Sequence, residues 1–75
     1  MANTGKPSKT RLLFGKRVRM FRKLKGWSQE ELAERSGLHR NYVGGVERGQ
    51  RNIAIDNMEV LSKSLGHDLA EFLTD

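Results

Sequence analysis

The chain has no cysteine, which excludes disulfides, cysteine-based zinc sites and thiol chemistry. Its one proline, Pro7, falls in residues 1–9, a stretch with two lysines and no apolar periodicity. That stretch reads as a flexible basic arm. No run approaches the roughly 20 apolar residues that a membrane-crossing helix needs, and Met1-Ala2-Asn3-Thr4-Gly5 lacks the apolar core of a signal peptide. The expectation is a cytoplasmic, nucleoid-associated protein with no membrane partner. The two histidines, His39 and His67, are scattered, and the carboxylates sit mostly where helices begin. No nucleophile–base set or metal cluster can be assembled from them, so no catalytic residue, cofactor or metal is expected. No pocket for a small-molecule effector is evident either.

Acid is the remaining absence. Residues 1–29 contain no Asp or Glu, and the first acid is Glu30. The same stretch carries Lys6, Lys9, Arg11, Lys16, Arg17, Arg19, Arg22, Lys23 and Lys25. Beyond Arg51 the sign reverses, with Asp56, Glu59, Asp68, Glu71 and Asp75 against Lys63 alone. The net charge of +5 is therefore concentrated at the front, a surface suited to phosphate, with a back that avoids it. At 75 residues the chain is one domain whose core is marginal for its size.

Residues 28–47 organise this domain. Ser28 with Glu31 forms an S-x-x-E capping box that closes two free backbone N–H groups. Leu32 and Ala33 turn inward, and the small Ala33 lets a second helix cross close by. Gly37 stands where the first helix must stop, a site for a left-handed residue. Leu38 plugs the space between the helices, and Val43 and Val46 form the inner stripe of the second. These are the demands of a helix-turn-helix.

At this point the chain resembles a known family. Gln29, Ala33, Gly37, Val43 and Val46 fall where the phage repressor and Cro-like helix-turn-helix family has its Gln, Ala, Gly and paired aliphatics. Phage repressors are the standard illustration of the motif. The run from Lys23 and Lys25-Gly26 through Ser28-Gln29-Glu30-Glu31-Leu32-Ala33 to Glu47-Arg48-Gly49 looks like the Xre branch. A narrower run, Tyr42, Gly45-Val46-Glu47-Arg48 and Arg51-Asn52-Ile53, is similar to the controller proteins of restriction–modification systems. The resemblance implies an all-α, five-helix, lambda-repressor-like DNA-binding domain over residues 10–75. It also implies an ion pair between Arg22, which lies beside the core stripe, and Glu47. It places Gln29 on a backbone phosphate at the N-terminus of helix 2, where free N–H groups and the helix dipole favour anions.

Helix 1 is expected over 10–25, with Phe14, Val18 and Phe21 as its core stripe. Leu13, Met20 and Leu24 form a neighbouring stripe, either covered by helix 5 or left for a partner. Trp27 is expected in the core with its indole N–H outward. Helix 2 is expected over 29–36, with Glu30, Glu31 and Glu34 facing away from nucleic acid. Helix 3, the recognition helix, is expected over 39–47. With Val43 and Val46 inward, Arg40, Asn41, Gly44 and Gly45 point outward. Arg40 suits guanine and Asn41 adenine in the major groove. His39 either touches a base or phosphate or is a solvated turn residue. Gly44 and Gly45 either let the backbone approach the groove or mark a gap in contact.

Arg51 is expected to reach a base edge, while Lys16, Tyr42, Arg48, Gln50 and Asn52 suit phosphate. Helix 4 is expected over 55–65, with Met58, Leu61 and Leu65 inward and a start softened by Ala54. Helix 5 is expected over 68–73, with Asp68 and Glu71 as a second capping box and His67 a solvated loop residue. Ile55, Asn57, Val60, Leu61 and Phe72 are the expected dimer face; Leu69, Phe72 and Leu73 pack on helix 1 or cross to a second copy. The composite expectation is a sequence-specific regulator that binds a palindromic operator as a homodimer through the major groove and acts by occupancy. The alternative is an antitoxin-type protein-binding module with autoregulatory DNA binding, for which the Leu13, Met20 and Leu24 stripe speaks.

Overall fold

A computed structural model describes residues 6–75 of the protein, and among these described residues five helices follow one another. They are α1 (Lys9–Leu24), α2 (Gln29–Ser36), α3 (Arg40–Glu47), α4 (Ile55–Leu65) and α5 (Ala70–Leu73). Among the described residues no helix is long and apolar enough to cross a membrane. Helix α1 begins one residue earlier than the spacing predicts, because the Ser8 hydroxyl accepts from the Arg11 N–H at 3.0 Å and caps it. The expected arm thus includes the cap and the first helical residue; residues 1–5 lie outside the described residues.

The capping box of α2 is half formed. Ser28 Oγ accepts from the Glu31 N–H at 3.0 Å, but the Glu31 carboxylate bonds Arg35 Nε at 2.7 Å one turn on. A fixed cation at i+4 holds that carboxylate away from the cap. Helix α2 ends at Gly37, whose φ of 76° makes the left-handed turn into α3. Helix α4 starts at Ala54 without a side-chain cap. Helix α5 is shorter than the expected 68–73. Its approach is closed by i→i+3 bonds, Glu71 N–H to Asp68 O and Phe72 N–H to Leu69 O, tighter than an α-turn. The Glu71 carboxylate accepts from the Asp68 N–H at 3.0 Å. That bond, and after it the one to His67, holds Glu71 below the usual carboxylate range. Its contribution to stability is therefore present at neutral pH and lost as the pH falls through the lowered value. His67 lies in the loop between α4 and α5, as expected, but is half-buried there. Its ring stacks on Phe21 with centroids 3.8 Å apart, and its Nδ1 lies 3.2 Å from Glu71 Oε1.

Phe14, Val18 and Phe21 of α1 meet Leu32 and Ala33 of α2, Val43 and Val46 of α3, Leu61 and Leu65 of α4, and Phe72 of α5 in one core. Phe72 sits at its centre, its ring 5.5 Å from that of Phe14 and edge-on to that of Phe21 at 4.9 Å. Leu61 and Phe72 are both 0% exposed, which removes them from the expected dimer face. The physical reason is register: Leu61 stands one turn before the buried Leu65 on the core side of α4, and the Phe72 ring packs against Phe14 and Phe21. Of that face, Ile55 is 69% exposed, Val60 is half-buried, and Asn57 donates to the Tyr42 hydroxyl at 3.2 Å. On α1, Leu13 is half-buried while Met20 and Leu24 are exposed. The segment after α5 comes back to this side, where Arg17 donates to the Thr74 carbonyl at 3.1 Å. Trp27 is half-buried, with the Arg35 guanidinium 4.3 Å and the Lys25 ammonium 5.1 Å from the centre of its ring.

Two contacts set how α1 crosses α3. Gly15 is buried against the end of α3. A methyl group there would overlap the Val46 carbonyl oxygen and stand 2.9 Å from that of Glu47. One and two turns further along the same face come Arg19 and Arg22. Arg22 Nε and Nη2 bond the two Glu47 carboxylate oxygens at 2.6 and 2.9 Å, and Nη1 donates to the Trp27 carbonyl at 2.7 Å. The pair is 9% and 2% exposed. The bond to Glu47 holds the Arg22 guanidinium above its ordinary basicity against the opposing effect of burial.

Gly15→Ala gains helix propensity of about 1 kcal/mol yet is expected to lose about 1–3 kcal/mol of stability net, because the obstacle is backbone. A denaturant melt at or above wild type would show that the crossing is not tight. Arg22→Ala strands a buried carboxylate and is expected to lose about 3 kcal/mol or more, whereas the exposed Arg19→Ala changes the melt little. Equal melting temperatures for the two would contradict the role given to the pair.

Candidate nucleic-acid interface

The outer side of α3 follows from its inner side. With Val43 and Val46 anchored, Arg40 and Asn41 are exposed one turn before Gly44 and Gly45. His39 precedes the helix rather than belonging to it. Its Nδ1 accepts from the Asn41 N–H at 3.0 Å, so the ring is an N-cap and carries its proton on Nε2, an outward donor.

After the helix, Arg48-Gly49-Gln50-Arg51 turns back along it. The result is a polar hollow of about 420 Å³ lined by Gln29, Arg40, Asn41, Gly44, Gly45, Arg48, Gln50 and Arg51. None of these is a carboxylate. A second hollow of about 440 Å³, lined by Arg19, Arg22, Gln29, Glu47 and Arg48, adjoins it through the shared Gln29 and Arg48. Its one acid, Glu47, is neutralised by Arg22. The combined surface is cationic and carries amide and guanidinium donors, the combination that phosphates and base edges accept.

Gln29 stands at the first residue of α2 and donates through Nε2 to Glu47 Oε1 at 3.1 Å. The ion pair thus fixes the side chain, whose second N–H remains for a ligand. Arg48 Nε donates to Gln50 Oε1 at 3.0 Å. The Arg51 guanidinium lies 5.5 Å from the centre of the Tyr42 ring, and the Tyr42 hydroxyl accepts from Asn57. Asn57, expected at a dimer face, is in this structure a support for Tyr42.

Gly44 and Gly45 are buried, not open. A Cβ at Gly44 would stand 3.1 Å from Arg48 Nη1 and 3.3 Å from Gln29 Oε1, and one at Gly45 2.9 Å from Arg51 Cγ. The space the glycines leave is filled by other side chains of the same surface.

Two expected phosphate ligands lie elsewhere. Lys16 borders separate hollows with Leu13 and Asp75, because the Gly15 crossing turns it away from α3. Asn52 lines a small hollow with Ser8, Arg11 and Ile53. In place of Lys16, α1 offers Arg19, which sequence reasoning passes over. Its signal is nonetheless there: Arg19 is four residues after Gly15 and three before Arg22, on the face that touches α3. Among the described residues no group of three or more His, Cys, Asp or Glu could hold a metal ion.

Comparison with known proteins agrees with this geometry. A helix-turn-helix family model matches residues 18–72. The control protein C.BamHI of Bacillus amyloliquefaciens is 50% identical over 68 residues, which cover 85% of this chain and 84% of that protein. The crystal structure of the restriction–modification controller protein C.AhdI from Aeromonas hydrophila superposes with a TM-score of 0.78. It is 51% identical and matches 81% of this chain and 92% of that one. The controller protein C.Esp1396I, solved as a tetramer in complex with its natural 35 base-pair operator, superposes with a TM-score of 0.80. It is 34% identical, over 87% of this chain and 86% of that one. This chain belongs to the Xre-like helix-turn-helix family, and its relatives there include controller proteins of restriction–modification systems.

Proposed function

We propose that the protein is a transcriptional regulator of the controller type that binds a palindromic operator as a homodimer, with α3 in the major groove. It acts by occupying DNA, not by catalysis. The observation that carries this reading is the carboxylate-free hollow along α3, where Arg40, Asn41 and Arg51 converge with Gln29 and Arg48. Arg40 and Asn41 read bases from the first turn of the helix, where side chains reach base edges. His39 contributes an Nε2–H at the helix start, and Arg51 reaches a base from the loop. Gln29, Arg48, Gln50 and Tyr42 hold phosphates, and Arg19 adds one from α1. The relative C.Esp1396I, solved as a tetramer in complex with its natural 35 base-pair operator, supports the DNA-binding part of this reading.

One short recognition helix reads only a few base pairs, so operator-level affinity calls for two domains about one DNA turn apart. The exposed Ile55 with Val60, neither packed against the core, is the surface through which two copies meet. Ile55→Glu is expected to give a monomer with unchanged helix content and weakened operator binding. A dimer that survives in sedimentation would place the interface elsewhere.

If each subunit neutralises about four or five phosphates, the dimer's log–log salt slope is expected to be roughly −7 to −9. A slope near zero would contradict DNA binding. Arg40→Ala is expected to cost about 1–3 kcal/mol on the preferred site, and much less on random DNA, so its specificity ratio falls. Arg19→Ala should weaken both alike and make the slope shallower by about one for each phosphate that goes unneutralised. An unchanged ratio for Arg40→Ala would mean that other side chains read the bases.

A further inference from the structure

We propose that Gly45 is a specificity-determining position that acts without a side chain: it is the seat that places Arg51 across the recognition helix. This rests on the DNA-binding reading above and adds how the base-reading set is built. Three observations converge on it. The Arg51 stem occupies the space of the missing side chain, for a Cβ at Gly45 would lie 2.9 Å from Arg51 Cγ, 3.1 Å from Nε and 3.5 Å from Cδ. The far wall of the seat is the Tyr42 ring, 5.5 Å from the Arg51 guanidinium, and Asn57 holds that ring by donating to its hydroxyl at 3.2 Å. The chain carries glycine here inside a helix, where alanine is the far better helix former, although Gly45 has no positive φ to require it.

The physical consequence is a change in which residue faces DNA. An ordinary helix-turn-helix reads bases with side chains along the recognition helix. Here the second turn of α3 offers none of its own. A loop arginine, folded over Gly45 and flanked by Tyr42, supplies a fixed two-pronged donor at that level. Pre-ordering a long, flexible side chain before binding removes part of the entropic cost of binding and fixes where the fork points. Gly45 and Tyr42 are positioning residues, and Arg51 touches the base.

The test uses the full chain and two readouts. In DNA-free protein, nuclear Overhauser effects between the Tyr42 ring and the Arg51 side chain are expected in wild type and absent in Gly45→Ala. A randomised duplex pool selected on wild-type protein then supplies a preferred site, and each variant is titrated on that site and its single-base-pair variants at fixed salt. Gly45→Ala is expected to lower the preference at one base pair by about tenfold, within the range of a bidentate contact. In an Arg51→Ala background the same substitution should change nothing further, since the seat is empty. That background also frees the space, so the second arm stands even if Gly45→Ala alone folds poorly. An equal effect of Gly45→Ala with and without Arg51, or no effect, overturns the seat. If the pool yields no preferred site while the Tyr42–Arg51 Overhauser effects are present, the DNA-binding reading has failed and the seat has not.

Discussion

The buried pair of Arg22 and Glu47 is the constraint on which the rest of this protein depends. It joins the end of α1 to the end of α3, and through Arg22 Nη1 it also ties down the Trp27 carbonyl just before α2. Glu47 in turn fixes Gln29 at the start of α2. One carboxylate thus reaches all three helices that build the candidate interface. Buried charge is costly unless every donor and acceptor is used. Here all three nitrogen atoms of the arginine are bonded, and the carboxylate takes bonds on both oxygens. The pair also cancels the one negative charge that would otherwise stand among the phosphate-seeking groups.

Beside that polar clamp lies a steric one. Gly15 lets the α1 backbone rest on the carbonyls of Val46 and Glu47. Together the two clamps fix the rotation of α1, and rotation decides function. It brings Arg19 to the hollow beside α3 and sends Lys16 towards Asp75. Which lysine or arginine lies beside α3 is thus settled by a glycine one to four residues away.

Period and punctuation are legible in the sequence. The Phe14, Val18 and Phe21 stripe, the Ser28 cap, the Gly37 turn and the Val43 and Val46 stripe each follow from local rules, and all four recur in the structure. What is not legible depends on three-dimensional competition for groups. Spacing assigns Glu31 to its cap, yet Arg35 takes its carboxylate. Leu61, read as inward by spacing, and Phe72, read as packing on helix 1 or crossing to a second copy, both lie in the core and are lost to the expected dimer face. Gly44 and Gly45 read as gaps because their occupants, Arg48, Gln29 and Arg51, come from other segments. His67 reads as solvated because its stacking partner Phe21 is distant in sequence. The candidate interface is legible as a set of donors and not as a shape.

The central claim is that the surface of α3 with its following loop enters the major groove of DNA in two symmetric copies. Methylation protection at guanine N7, an atom that faces the major groove, tests it most directly. The account predicts two protected patches centred about 10 base pairs apart on one side of the duplex. A bound complex that leaves every guanine N7 reactive, or that protects adenine N3 in the minor groove instead, would contradict it.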